Sequence, residues 1–556
     1  MIKNCGDSLE QMILSKTYFQ KVRRIITRAV LLGFLFILCI TFNMPWSTQH
    51  IAIISINYFF NSSSYPSNTM VVLFNAQRRF WPPWPLLCHS HNATHSLTSL
   101  PRVRHAFTPI LICGWSVFLA VCPTVQSPSQ FALRDMQVLS TSVAVPYRKV
   151  SAEHLPVVAC FSPLFFNERW QLIIPTLEIY RQYGVSLQVF YIQSMLVEIL
   201  DFMRIYENEK IIRIEAWTKF NISMPVDGSF KPLDYDPNAE LEWRNQAAAH
   251  TDSAEFIIIS DLDDVLIPRM GDKSFLGEFR QLSAQLPNSA GFYYNRYNTH
   301  LITSNDPKDF SLLSLINGAR IAEEWEDPKY VVKPKNVQSV WLHWPGIVDK
   351  GRMYLVPDSQ NFILHFRNWS MIDHDAINVP LINRVFKMFN YQISDIIRPE
   401  ATTKLENNFR KFILTTPQLA EKFSQLPHRV IYYPIISACY NRIFYGRSKR
   451  PMNCPGPLRC LLPSIPDIKC AVGIRHYEHG AINEHVVRKI TTTYIIFRKI
   501  YKFIFPERIF YGRSKRPMNC PGPLRCLLPS IPDIKCAVGI RHYEHGAINE
   551  HVVRSF

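Results

Sequence analysis

Three carboxylates crowd into the four residues Asp261, Leu262, Asp263 and Asp264, directly after the aliphatic run Phe256–Ile259 in "EFIIISDLDDVLIP". Like charges at this spacing repel and raise one another's pKa unless a cation neutralises them. Oxygen donors of this kind suit a hard divalent cation, Mn2+ or Mg2+. The plain alternative is a solvated turn with a helix cap, which places no demand on the residues before it. Those residues argue for the cation. The run is apolar on both alternations, as in a central strand covered on both faces, and Ser260 and then Pro268 end it. A cluster at the carboxyl end of such a strand stands where open α/β sheets bind ligands. If the stretch stays extended, Asp261 and Asp263 face the same way and Asp264 points elsewhere.

The preceding elements must supply that sheet. "HLPVVACFSPLF" reads as a strand ending at Ser162-Pro163. "NERWQLIIPTLEIYRQYG" places Trp170, Ile173, Ile174, Leu177 and Tyr180 at helical spacing, with Gly184 as the stop. "VSLQVFYI" is a second strand, "MLVEILDFMRIYEN" a second helix, "KIIRIEAW" a third strand and "LEWRNQAAAHTDS" a third helix. This alternation predicts an α/β domain over residues 151–430, with a mostly parallel central sheet and crossover helices. No G-x-G-x-x-G follows the first strand and no Walker A sequence occurs, which excludes dinucleotide and P-loop readings.

The chain has 556 residues, 47% of them hydrophobic and 19% charged, enough for more than one domain. Its net charge of +17 raises the question of nucleic acid, so the location of that charge matters. Residues 442–556 hold 20 Lys/Arg against 7 Asp/Glu, and residues 1–28 hold six against two, which leaves 29–441 with no basic excess. A nucleic-acid partner is not supported.

At the N-terminus a basic tail, 1–28, leads into an apolar stretch centred on "AVLLGFLFILCITF"; with its flanks, 25–46 approaches the length of a bilayer span. No small-residue cleavage site follows "FNMPW", so the expectation is an uncleaved signal anchor with the bulk of the chain in the lumen. Sequons at Asn61, Asn92, Asn221 and Asn368 lie beyond the span and are compatible with that topology. Residues 47–150 show little periodicity and read as a stem; within them the apolar stretch 106–122 is either a second span or buried strands.

At the other end, residues 442–488 recur unchanged at 508–554, a duplication of which the fold can use one copy, so that 431–488 reads as a Cys-rich element and 489–556 as a linker plus duplicate. Cys439, Cys454, Cys460 and Cys470 suit two disulfides in an oxidising compartment; their spacings lack the close C-x2-C pair of most zinc modules.

C-F-S-P-L-F, the helix with Trp170, "GVSLQVFYI", "WRNQAAAHTDSAEF", "DLDD", "KYVVKPKNVQSVWLH" and "ILHFRN" occur in that order. The pattern resembles glycosyltransferase family 92 over about residues 155–430, and the Cys-rich tail resembles the end of such proteins. The resemblance implies a GT-A-like fold, a type II Golgi or other secretory-pathway membrane topology, and a divalent cation. It also implies a nucleotide-sugar donor (UDP-galactose), a glycan or glycoprotein acceptor and inversion at the anomeric carbon. It assigns the metal to Asp261, Asp263 and His365, with Asp261 and Asp264 also serving the donor nucleotide and Arg367 a phosphate.

Arg244 and Asn245, on the helix before the acidic strand, are further nucleotide candidates, and His343 competes with His365. Tyr293, Tyr294, Tyr297, Trp341 and Trp344 could stack on a sugar, although most aromatics belong to cores. Inversion requires a base, and Glu323, Glu324, Asp349, Asp373 and Asp375 are not separable by sequence. Two other readings compete: an inactive sugar-binding protein of the same fold, and a multi-span receptor or transporter. The second needs both 106–122 and 491–506 to span, and the latter carries Arg498, Lys499 and Lys502 within it.

Overall fold

The computed structural model describes residues 51–77, 86–107, 115–135, 142–150, 154–164, 167–192, 194–216, 254–372, 388–393, 396–428, 476–478 and 486–487. The expected anchor at 25–46, the four clustered cysteines, the second repeat copy, Asn221, Arg244, Asn245, Asp373 and Asp375 lie outside them. Among the described residues no helix is long and apolar enough to cross a membrane.

The expected stem is instead largely β-structure. Its described residues form nine strands: β1 (Ile51–Phe59), β2 (Thr69–Gln77), β3 (Leu86–His91), β4 (Ser96–Ser99), β5 (Arg102–His105), β6 (Trp115–Pro123), β7 (Gln130–Asp135), β8 (Ser142–Ala144) and β9 (Arg148–Lys149). One sheet runs β1-β2-β6-β5 with β9 beside β1; the other runs β4-β3-β7-β8. Ile56, Met70, Val72 and Phe74 of the first share a core with Leu86, Phe131 and Leu133 of the second, and a Cys88–Cys122 disulfide joins the two sheets. Sequence periodicity missed this domain because its alternation is chemically disguised. In β3, "LLCHSH", the inward positions are Leu86, Cys88 and Ser90, while Leu87 faces outward. The apolar stretch 106–122 is resolved in favour of a strand over its described part: β6 lies between β2 and β5, with Val117–Ala120 buried.

The second sheet system begins as predicted, although the third helix expected in "LEWRNQAAAHTDS" lies outside the described residues. β10 (Leu155–Leu164), α1 (Trp170–Gln182), β11 (Leu187–Ile192), a short β12 (Ser194–Leu196), α2 (Val197–Asn208), β13 (Ile212–Ala216) and β14 (Ala254–Ser260) follow one another. β13, β11, β10 and β14 are neighbours in that order, all parallel. Beyond β14 the expectation of a mostly parallel sheet needs correction. The path continues through β17 (Arg320–Val332), β16 (Ser289–Ser304), β21 (Ile363–Ile372) and β15 (Asp264–Leu266). Of these pairings only β16–β21 is parallel. The sheet is mixed because β16 returns directly along β17 rather than crossing over through a long helix.

Apolar clusters cover both faces. Trp170, Ile173, Leu177, Phe256 and Ile258 belong to one, together with helix α3 (Phe275–Gln285). Val158, Cys160, Ile257, Ile259 and Val332 belong to the other, capped by Val337 and Val340 of a hairpin. That hairpin is β18 (Val337–Val340) and β19 (Pro345–Val348). Two short strands of the first repeat copy also pair, His476–Glu478 with β12 and Val486–Val487 with β1.

Candidate active site

The acidic cluster is held by the elements that meet at the end of β14. Residues 261–264 do not stay extended: Asp264 N donates to Asp261 O at 3.1 Å, closing a turn. The turn is fixed from below by α1. Thr176 Oγ1 lies 2.9 Å from the carbonyl of Leu262, and Tyr180 OH donates to Asp264 O at 3.3 Å while accepting from Leu266 N at 3.4 Å. Because the chain turns, Asp264 swings back to join the other carboxylates instead of pointing away, contrary to the extended expectation. β15 then pairs with β21, setting Asp264 opposite His365.

The result is one group of charges. His365 Nε2 lies 3.7 Å from Asp263 Oδ2 and 3.9 Å from Asp264 Oδ1. Donor atoms of Asp263, Asp264 and His365 all lie within 4.8 Å of one another. Asp261 is turned to different partners: Lys329 Nζ at 2.8 Å and the hydroxyl of Ser162, which donates to Oδ1. Arg296 Nη1 reaches both oxygens of Asp264 at 3.2 Å, and its Nη2 lies 3.6 Å from Glu326 Oε2. Glu326 in turn stands 3.5 Å from His365 Nδ1.

Burial differs within the cluster and sets the electrostatics. Asp264 and Lys329 are fully buried, whereas the Asp263 side chain is 25% exposed and faces outward. Burial alone would raise the Asp263 carboxyl, but His365, Arg169 and Arg296 outweigh it and hold it well below the usual carboxylate range. Burial likewise works against Asp261, and Lys329 with Arg296 brings it below its ordinary value. For Asp264 burial wins over Arg296 and His365, and its pKa is raised. Burial also lowers the Lys329 ammonium against the pull of Asp261 and Asp264. The four carboxylates Asp261, Asp263, Asp264 and Glu326 outnumber the cations Lys329, Arg296 and Arg169 that act on them. Two carboxylates with an imidazole are a donor set that could hold a divalent cation such as Mn2+.

Sequence matching to known proteins decides the family. The profile of Glycosyltransferase family 92 matches residues 155–413. A glycosyltransferase family 92 protein of Caenorhabditis elegans is 32% identical over 508 residues, 84% of this chain and 93% of the relative. The chain belongs to glycosyltransferase family 92. Two further family 92 proteins of the same organism are each 27% identical, one over 77% of this chain and 85% of its own length, the other over 78% and 86%. Family 92 membership supports a glycosyltransferase, with a nucleotide sugar and a glycan acceptor as its partners.

For this family 92 chain the structure brings together Asp261, Asp263, Asp264 and His365 of the residues expected from sequence. Arg367 and Asn368 lie on β21, and only their backbone is described. His343 stands beside the cluster rather than in it. Its Nδ1 donates to Pro328 O at 3.1 Å, and burial, with Lys329 and Arg296 nearby, depresses its pKa to about 3. Tyr294 and Tyr297 use their hydroxyls on Glu278 and Asp358. Of the five aromatics, Trp344 is the most exposed, at 41%. Asp349 is engaged by Gln338, and neither Glu323 nor Glu324 belongs to the acidic group. Sequence reasoning missed Lys329, Arg296, Glu326 and Ser162. The available signal was chemical, a lysine at 329 and an arginine at 296 embedded in otherwise buried strand segments.

Proposed function

We propose that this chain is a membrane-anchored, metal-dependent, inverting glycosyltransferase of GT-A-like architecture, which transfers galactose from UDP-galactose to glycoprotein glycans. The observation that carries the reading is the gathering of Asp263, Asp264 and His365 at the carboxyl end of β14, in a cluster whose carboxylates outnumber the cations beside them. Asp263 is the candidate ligand on the open side of the cluster, whereas His365 and Asp264 are buried. A cation bound there supplies Lewis-acid neutralisation of the diphosphate that leaves when the sugar is transferred. Arg296 Nη1 donates to both oxygens of Asp264 and so holds the carboxylate in place. Lys329 and Ser162 orient Asp261 through its two carboxylate oxygens, and its partly exposed side chain is assigned to the donor nucleotide. His365 stands between Asp263 and Glu326, with Nε2 3.7 Å from Asp263 and Nδ1 3.5 Å from Glu326. Arg367 is assigned to the nucleotide on resemblance, Arg244 and Asn245 on their place in the sequence before the acidic strand, and the catalytic base is unassigned.

A secretory-pathway, Golgi-type location is part of the proposal. It is supported by the basic tail and apolar stretch 25–46, and by the Cys88–Cys122 disulfide, a bond typical of oxidising compartments. Synthesis with microsomes tests it. Endoglycosidase-sensitive mobility of a chain retaining only the Asn221 and Asn368 sequons is expected, and an unshifted chain removes the topology. The chemistry is tested by incubating the full-length protein, purified in detergent, with a panel of sugar nucleotides and glycan acceptors with and without Mn2+. Transfer from UDP-galactose with inverted product configuration is the expected result. Mn2+ binding without transfer or hydrolysis of any donor would leave an inactive sugar-binding protein.

A further inference from the structure

The N-terminal β-domain meets the transferase domain at the hairpin β18–β19. On the domain's outer sheet, Phe59, Val71, Ala106, Phe107 and Leu119 form an apolar cluster against which Trp341 and Ile347 pack. Polar contacts reinforce it. Tyr65 OH donates to Gln338 O at 2.7 Å, Gln338 Nε2 to Ser64 O at 2.8 Å and Ser64 Oγ to Pro334 O at 3.0 Å. The Ser339 hydroxyl donates to Ala106 O. Approach is close enough to require glycine: a Cβ on Gly346 would stand 2.0 Å from Ala106 O.

The other end of the hairpin reaches the acidic cluster. Its turn, Trp341–Trp344, is tied to residues 328–330 of β17: Trp341 N donates to Tyr330 OH at 2.9 Å, and His343 Nδ1 to Pro328 O at 3.1 Å. Leu342 O accepts from Lys329 Nζ at 3.1 Å, the same nitrogen that stands 2.8 Å from Asp261. The turn is therefore one of the few acceptors that fix a fully buried ammonium. Trp341 stacks on Phe107 at 5.7 Å and an interplanar angle of 20°. Its buried Nε1 has no hydrogen-bond partner among the described residues, so ring packing governs where the indole lies.

We propose that residues 51–150 are a working part of the transferase site. Through Phe107, Ala106 and the hairpin, they position the turn Trp341–Trp344 and so set Lys329 against Asp261. This rests on the transferase reading for its effect on catalysis, but not for its structural half. A displacement of about an ångström at a positioned group is enough to cost two orders of magnitude in rate.

The test uses the full-length protein and two readouts. Phe107→Ala removes the ring beneath Trp341, and Gly346→Ala wedges the hairpin away from Ala106. In both, labelling of Lys329 by an amine-reactive reagent, followed by peptide mass spectrometry, should rise severalfold from a protected wild-type level. kcat for transfer should fall about tenfold or more, while the unfolding midpoint moves by only a few degrees. Phe107→Tyr keeps the ring and should restore both protection and kcat. Unchanged Lys329 protection in both alanine variants overturns the inference, whatever the activity. Increased labelling with undiminished transfer also overturns it, because the site would not depend on the turn. If wild-type protein transfers no sugar yet Lys329 becomes labelled as expected, the proposed function fails and the structural coupling stands.

Discussion

Two buried carboxylate sites lie close together along the chain and are built on opposite principles. Glu278 of α3 is fully buried, and neutral donors satisfy both its oxygens. Oε2 accepts from Arg269 N at 2.7 Å, Met270 N at 3.2 Å and Asn361 Nδ2 at 3.0 Å. Oε1 accepts from Tyr294 OH and Asn361 Nδ2, each at 2.9 Å. The cluster at 261–264 instead sets carboxylates against other carboxylates, balances them incompletely with Lys329 and Arg296, and leaves Asp263 open on one side. A site whose only task is to hold loops together saturates its acceptors. A site that keeps excess charge facing outward is prepared for a cation from solution. Glu278 ties the loop after β15 to Asn361, just ahead of β21, and so stabilises the frame on which Asp264 and His365 meet.

The largest effect should come from Asp263→Asn, which keeps side-chain size and removes the outward charge. Transfer should fall by about a thousandfold, since Lewis-acid stabilisation is worth several kcal/mol. Unfolding should change by no more than about 1 kcal/mol, because the side chain is partly exposed. Wild-type protein at a hundredfold excess of Mn2+ over its Kd should gain about 2.7 kcal/mol of stability, and the variant should gain almost none. Normal, Mn2+-stimulated transfer by Asp263→Asn would reduce the cluster to a solvated turn and dissolve the contrast with Glu278.

How much of this was legible in the sequence follows from the same contrast. β10, α1, β11, α2, β13 and β14 could be read because each has a local hydrophobic period, and the Asp cluster could be read because it terminates one of them. Lys329 and Arg296 reach the cluster only through the pairings of β14 with β17 and of β17 with β16. Sequence spacing carries no record of such register. Glu278 was equally hidden, as an ordinary acidic residue on an amphipathic helix. The N-terminal domain was missed for a different reason: Ser90 fills an inward position of β3 and Leu87 an outward one, which erases the alternation.

Lys329→Met tests whether the acidic cluster depends on its cations. Leaving Asp261 with only the Ser162 hydroxyl and Asp264 with only Arg296 should destabilise the protein by about 3–5 kcal/mol, measured by denaturant unfolding in the presence of a chelator. Added Mn2+ should recover part of that loss, because a second positive charge takes up the unbalanced carboxylates. A loss that Mn2+ leaves untouched would show that Lys329 is structural in the same sense as the donors around Glu278.

Glu278→Gln should break the neutral site without involving charge balance. Either orientation of the amide turns an NH2 group toward donors that now lack an acceptor, at a cost of about 3 kcal/mol. Mn2+ should restore none of the stability beyond what it gives wild type. Transfer per folded molecule should stay within about twofold, since no group touching the cluster has changed. Recovery with Mn2+ would mean that the two carboxylate sites are linked and that their separation here is too sharp.

The smallest effect should come from the cap that starts the helix carrying Glu278. Ser274 Oγ accepts from Gly277 N at 3.0 Å, and Asp272 Oδ1 accepts from both Ser274 N and Ser274 Oγ. Ser274→Ala removes the acceptor for one first-turn amide and should cost about 1 kcal/mol. Asp272 keeps its bond to Ser274 N, so the loop should retain its path and only the first turn of α3 should fray. Hydrogen exchange should therefore rise at residues 275–278 and not at 261–264, with Mn2+-dependent transfer unchanged. Were transfer to fall in proportion to the lost stability, the frame around Glu278 would be setting the geometry of the acidic cluster continuously, and the division between a structural and a reactive carboxylate site would have to be redrawn.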